Sequence, residues 1–166
     1  MLRQALPMAK RLAALAKRAR AAGIPVIYAN DNFGKWRSDF RMTLEHCLND
    51  GVRGEPIAKL LTPEDSDYFV LKPKHSAFFA TTLDTLLKYL EVQTLILAGI
   101  ATDRCVLFSA SDAHMRDFQI LVPNDCSAAE TRADHLRAMA LMKTKSDARI
   151  GASRGLDLKA LLKPTT

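Results

Sequence analysis

The chain has 166 residues, 48% of them apolar and 25% charged, enough for one domain with a proper core and too mixed for a disordered protein. No stretch approaches the ~18 continuous apolar residues of a membrane-spanning helix, and Arg3, Lys10 and Arg11 have no long apolar segment behind them, so no signal peptide is expected. The net charge of +6 invites a nucleic-acid partner, but the basic residues are spread along the chain. The densest group (Lys10, Arg11, Lys17, Arg18 and Arg20) shares a helical pattern with Leu6, Leu12, Leu15 and Ala19. It is therefore expected to form a solvated helix face, with no nucleic-acid binding and no membrane. Cys47, Cys105 and Cys126 are too few and too widely spaced for a disulfide framework or a zinc site, which points to a reducing cytoplasm.

In chain order, residues 5–22 predict a helix ended by Gly23, and residues 24–29 a short strand with Pro25 near its start. Asn30-Asp-Asn-Phe-Gly34 reads as a turn. Residues 38–49 predict a helix capped by Ser38 or Asp39, and 50–67 a loop with one helical turn near 57–61. Strands follow at 68–72, 93–98 and 118–122, each trailed by a helix, at 81–90, 103–116 and 132–145. A short edge strand at 148–150 and a last helix near 156–162 close the chain. Strands that are rich in Val, Ile and Leu and alternate with helices imply a parallel sheet covered on both faces. With no repeat or linker, residues 1–166 read as a single domain.

Ligands in such sheets bind beyond the carboxyl ends of the strands, where this order delivers Asp31, Lys72, Cys105 and Asp125. Cys105 carries the most information. In Leu95-Ile-Leu-Ala-Gly-Ile-Ala-Thr-Asp-Arg-Cys105-Val it falls just after a strand, in the first turn of a helix that Thr102 or Asp103 could cap. Unpaired N–H groups and the helix dipole there favour thiolate over thiol. A lysine cation at position 72 would add to that preference and could orient a proton-shuttling carboxylate. The backbone N–H groups of Ala101 and Cys105 could receive an oxyanion. That set suits acyl transfer from an amide to water. The bland alternative is a buried, inert thiol, the reading also given to Cys47 and Cys126.

Lys72-Pro-Lys-His-Ser-Ala-Phe78, Thr82-Leu-Asp-Thr-Leu-Leu87, Gly99-Ile-Ala-Thr-Asp-Arg-Cys-Val106 and Ser111-Asp-Ala113 together resemble the isochorismatase-like cysteine hydrolases. That family includes nicotinamidases, carbamoylsarcosine amidases and ureidoacrylate amidases. The resemblance runs from residue 5 onward, and Tyr28-Ala-Asn-Asp-Asn-Phe-Gly34 fits the family's second strand. It implies a three-layer α/β/α fold with a mainly parallel sheet, Cys105 as nucleophile, Lys72 as its cationic partner and a cis peptide at Ile100–Ala101. It also implies a homo-oligomer acting on a small amide, ureido or carbamoyl substrate.

Two departures qualify the resemblance. The family's first strand, which ends in the third catalytic residue, an aspartate, has no match here, because the chain opens on the segment leading into the family's first helix. A start assigned too late is the expected explanation. A chain truly beginning at Met1 would lack its middle strand and would act as an impaired hydrolase or as a binding or assembly subunit, unless Asp31 replaced the missing base. A turn role for Asp31 is the expectation. The second departure is the absence of histidine after the second strand, where the family's nicotinamidases hold a metal. No metal and no cofactor are therefore expected, and His75 is read as structural. Asp31, Phe33, Trp36, Phe78 and Phe79 are candidates for lining the pocket.

Overall fold

The computed structural model describes residues 2–32 and 40–162. The predicted caps Ser38 and Asp39, and the pocket candidates Phe33 and Trp36, lie outside the described residues.

The elements run in the order the periodicity predicts. Helix α1 (Leu2–Ala21) leads into β1 (Ile27–Asp31), followed by α2 (Phe40–Asn49) and α3 (Glu55–Leu60). Then come β2 (Tyr68–Lys72), α4 (Leu83–Tyr89), β3 (Thr94–Ile96), β4 (Gly99–Ile100), a π-helical turn (Thr102–Val106) and α5 (Leu107–His114). Strand β5 (Gln119–Pro123), β6 (Ser127–Ala128), α6 (Arg132–Lys145) and β7 (Arg149–Gly151) complete the main body. Two short 3-10 turns (Ser153–Gly155 and Ala160–Leu162) stand where one helix near 156–162 was expected.

All strand pairings among the described residues are parallel: β1 with β2, β5 between β3 and β7, and β4 with β6. The fold is a three-layer α/β/α sandwich, and strand β3 with the two residues after it shows why. Leu95 and Leu97 pack into the cluster built by Leu87 of α4, Ala110 and Ala113 of α5 and Met139 and Met142 of α6. Ile96 and Ala98, pointing the other way, pack with Leu15 and Ala19 of α1. Successive strand side chains face opposite sides, so a run of four apolar residues feeds both helix layers at once. Fully buried Leu87, Val122 and Met142 anchor the larger cluster, at about 2 kcal/mol of apolar burial each.

Among the described residues β1 pairs only with β2, and β3 only with β5, so each presents one edge without a ladder partner. Ile27 and Ala29 of β1 nevertheless share the larger core with Leu95 and Leu97. Side-chain packing thus spans a place where backbone pairing does not. No helix among the described residues is long and apolar enough to cross a membrane.

Three expectations need correction. Asn30 and Asp31 are strand, not turn: the parallel register sets Asn30 opposite Leu71 and Asp31 opposite Lys72, and the Asn32 N–H still donates to the Lys72 carbonyl at 3.0 Å. Ladder bonds to β2 override the local turn preference. The α1 cations are not all solvated. Arg18 donates to the Ser153 and Leu156 carbonyls at 3.0 and 2.7 Å, and Arg20 forks onto Asp67 at 2.9 and 2.6 Å. Leu6, expected on the buried face, is exposed, while Ala5, Met8, Ala9, Leu15 and Ala19 supply the inner stripe.

Candidate active site

Lys72 ends β2 on the same face as Val70, since residues two apart on a strand point the same way. That face is core, so the lysine is buried, its side chain only 4% exposed. A buried ammonium is costly unless its three N–H donors find acceptors. Here each has one. Nζ donates to Asp31 Oδ1 in a short ion pair, to the Lys74 carbonyl at 3.2 Å and to Cys105 Sγ at 3.3 Å. Asp31 reaches this position because it stands directly across the ladder from Lys72.

Cys105 is delivered from the other side by the turn after β3. Gly99 has φ +115°, a conformation that side-chain-bearing residues rarely adopt, and its N–H donates to the Cys126 carbonyl at 2.9 Å. The Ile100–Ala101 peptide that follows is cis. The Ala101 carbonyl then accepts from both Arg104 and Val106 N–H groups, at 3.1 and 3.2 Å, winding residues 102–106 into a π-turn instead of the first turn of an α-helix. Neither expected cap acts as one. Ala101 occupies the cap position, and no side chain bonds there. Thr102, fully buried, pairs its hydroxyl with His135 Nδ1 at 2.9 Å, which ties the π-turn to α6. Burial holds the His135 imidazole below its ordinary value, against a bond to the Asn124 backbone. Asp103 keeps one buried carboxylate oxygen, Oδ1, without a hydrogen-bond partner among the described residues.

His75 completes the cluster in an unexpected way. It is exposed, stacks on Phe108 at 5.7 Å between ring centroids, and places Nδ1 4.0 Å from the sulfur. The loop that carries it is fastened to α5. Ser76 Oγ donates to Asp112 in a short bond and accepts from the Phe78 N–H at 3.1 Å, while Ser109 Oγ accepts from the Ala77 N–H at 2.9 Å. Because α5 continues the π-turn, these bonds hold the lysine loop and the cysteine turn as one unit. The motif residues Ser76 and Asp112 were visible in the sequence, but nothing in their spacing disclosed that they bond to each other.

The remaining sequence candidates separate. Phe78 is core, packed near Phe118 and beneath the Arg116 guanidinium, 4.8 Å from the ring centre, so it does not line a pocket. Phe79 is exposed. Asp125 does not join the thiol. Its two oxygens accept from the Ser153 N–H at 2.8 Å and the Ser153 hydroxyl at 2.9 Å. Burial works to raise its carboxyl, but the two Ser153 bonds prevail and hold it below the ordinary carboxylate range. The open cleft lined by Tyr68, Phe69, Thr85 and Tyr89 borders none of Asp31, Lys72 and Cys105. Among the described residues, no group of three His, Cys, Asp or Glu side chains is placed to hold a metal ion.

A half-buried thiol thus stands beside a buried ammonium at the carboxyl ends of parallel strands, with Asp31, expected as a turn residue, bonded to the same ammonium. The model of the isochorismatase domain matches residues 2–152. The chain belongs to the isochorismatase family. It is 43% identical over 129 residues to YaaI of Bacillus subtilis, an uncharacterized isochorismatase family protein, covering 78% of this chain and 70% of that one. It is 29% identical over 141 residues to the ureidoacrylate amidohydrolase RutB of Methylorubrum extorquens, covering 73% of this chain but only 57% of that enzyme. Among solved structures, N-carbamoylsarcosine amidase from Thermoplasma acidophilum superimposes with a TM-score of 0.75 at 25% identity, over 93% of this chain and 87% of that one. The isochorismatase-family fold thus accounts for the layer order, and this chain's own residues furnish the thiol cluster.

Proposed function

We propose that the protein is a cysteine hydrolase that cleaves the C–N bond of a small amide, ureido or carbamoyl compound. The observation that carries this reading is the Lys72 ammonium 3.3 Å from Cys105 Sγ, inside a site that holds no second cation on the sulfur among the described residues. An ammonium donating to sulfur compensates the charge of a thiolate, the form that attacks carbonyl carbon. The attack forms a tetrahedral intermediate whose oxyanion rests on the backbone N–H groups of Ala101 and Cys105, at the turn the cis peptide introduces. Collapse expels ammonia or an amine and leaves an acyl group on Cys105, which water removes as the acid. Relatives named for ureidoacrylate hydrolysis and for carbamoylsarcosine amidase activity support this substrate class.

The test is ammonia release from a panel of small primary amides, ureido acids and N-carbamoyl amino acids. At least one should be hydrolysed, and Cys105→Ala should cut the rate on the order of 10³-fold or more. Hydrolysis that survives the loss of Cys105 refutes the reading. A folded protein inactive on the whole panel returns the binding or assembly subunit as the better account.

A further inference from the structure

We infer that His75 is a substrate-binding residue whose Nδ1 accepts an N–H of the group under attack, an inference that rests on the hydrolase reading above. The site would then favour an amide, ureido or carbamoyl carbon over an ester of similar size. His75 is exposed, yet its place is fixed. The carbonyl of the preceding residue, Lys74, accepts from Lys72 Nζ at 3.2 Å, and the hydroxyl of the following residue, Ser76, donates to Asp112 of α5. The imidazole itself lies against the Phe108 ring at 5.7 Å, with 26° between the ring planes. An ordinary surface side chain samples several rotamers, whereas this one is held from its backbone and from one ring face, as recognition of a ligand requires.

Stacking uses the face of the imidazole and leaves the nitrogens on its edge to other partners. Among the described residues the polar contact of that edge is Cys105 Sγ, 4.0 Å from Nδ1. That separation is long for a bond to sulfur and suits a substrate atom lying beside both. A carbonyl carbon poised for attack sits about 3–3.5 Å from its nucleophile. The nitrogen on that carbon, one bond of about 1.3 Å further on, can then lie about 3 Å from Nδ1, the length of an ordinary hydrogen bond. Access points the same way. The Lys72 side chain, on the same sulfur, is only 4% exposed, so a substrate entering from solvent meets the imidazole and not the ammonium.

Donor and acceptor roles are complementary. The Ala101 and Cys105 N–H groups and the Lys72 ammonium can only donate, which suits a carbonyl oxygen and a thiolate. An amide also brings N–H donors, and burying one of these without an acceptor is costly. With its own proton on Nε2, His75 presents Nδ1 as that acceptor. An ester has no such proton and gains nothing from the imidazole. His75 thus discriminates by what is attached to the carbon attacked, while Cys105 performs the attack in either case.

The experiment compares two small probes: 2,2,2-trifluoroacetamide, whose hydrolysis fluorine NMR follows, and p-nitrophenyl acetate, which has no N–H. His75→Phe keeps a ring on Phe108 and removes the acceptor. It should lower kcat/KM for the amide by about tenfold or more and leave that for the ester within about twofold of wild type. Should His75→Phe fail to fold, His75→Ala, which only trims an exposed side chain, should give the same split. An equal loss on both probes, complete loss included, makes His75 a prop for the lysine loop, and an unchanged rate on the amide makes it a bystander. Either result overturns the proposal and leaves the hydrolase reading intact. A wild-type protein that cleaves the ester but not the amide also overturns it. If wild type cleaves neither probe above the spontaneous rate, or if cleavage survives Cys105→Ala, the hydrolase reading falls and this proposal with it.

Discussion

Two cysteines in this chain each lie near a carboxylate at the end of a parallel strand, and the structure gives them opposite surroundings. Cys105 is half-buried on a π-turn, with the Lys72 ammonium at 3.3 Å and Asp31 on the far side of that ammonium. Cys126 is completely buried between α1 and the strand ends, packed with Leu15, Ala19 and Leu158. Burial pushes the Cys126 thiol up to about 11, the Asp125 charge adds to the rise, and the Ser153 hydroxyl and Arg11 only partly oppose it. Both neighbourhoods contain an acid. What separates them is the cation each one meets. Lys72 donates into the sulfur of Cys105, whereas Arg11 acts on Cys126 only through its charge and does not offset the burial. A cysteine's reactivity is thus set by the donor facing it and by its access to solvent, not by an adjacent acid in the sequence.

The contrast can be broken most directly by labelling. Iodoacetamide at neutral pH should alkylate Cys105 in the native protein at least about 10³-fold faster than Cys126, since a thiol held near 11 is almost wholly protonated and this one is also walled off. Peptide mapping of the alkylated protein reads the ratio, and comparable labelling of the two would erase the distinction.

A smaller effect sharpens the role of the cation. Lys72→Met keeps the buried methylene stem and removes the charge, so alkylation of Cys105 at pH 7 should slow by about a hundredfold while Cys126 stays protected. Unchanged Cys105 kinetics in a folded Lys72→Met protein would show that the ammonium does not govern the sulfur.

The smallest effect belongs to the structural site. The Asp125 carboxyl is held below its ordinary value by Ser153, so its contribution to stability is complete above the unfolded value of about 3.9 and disappears as pH falls through the lower folded value. Asp125→Asn should therefore cost about 1.5 kcal/mol in urea denaturation at pH 7, and the two proteins should converge in strong acid. A gap that persists undiminished at low pH would mean that packing, not the charge, links Asp125 to Ser153.

Much of this molecule is legible in the order of its residues. The alternation of strands and helices, the two-faced apolar run at 95–98 and the position of Cys105 just past a strand follow from periodicity, which depends only on residues a few places apart. Lys72 at the end of β2 was likewise visible, because a cation closing an apolar strand breaks the pattern. Other features were decided only when distant segments met. Asp31 looks like a turn residue between two asparagines until β2 pairs with it and turns its carboxylate onto Lys72. Asp125, at an equivalent-looking strand end, is drawn away by a serine 28 residues later, and Phe78 sinks into the core beneath Arg116. The physical reason is the same in each case. Local propensity specifies which element a residue joins, but which charge or ring it faces depends on ladder register and packing between segments far apart in the chain, and no spacing along one segment encodes that.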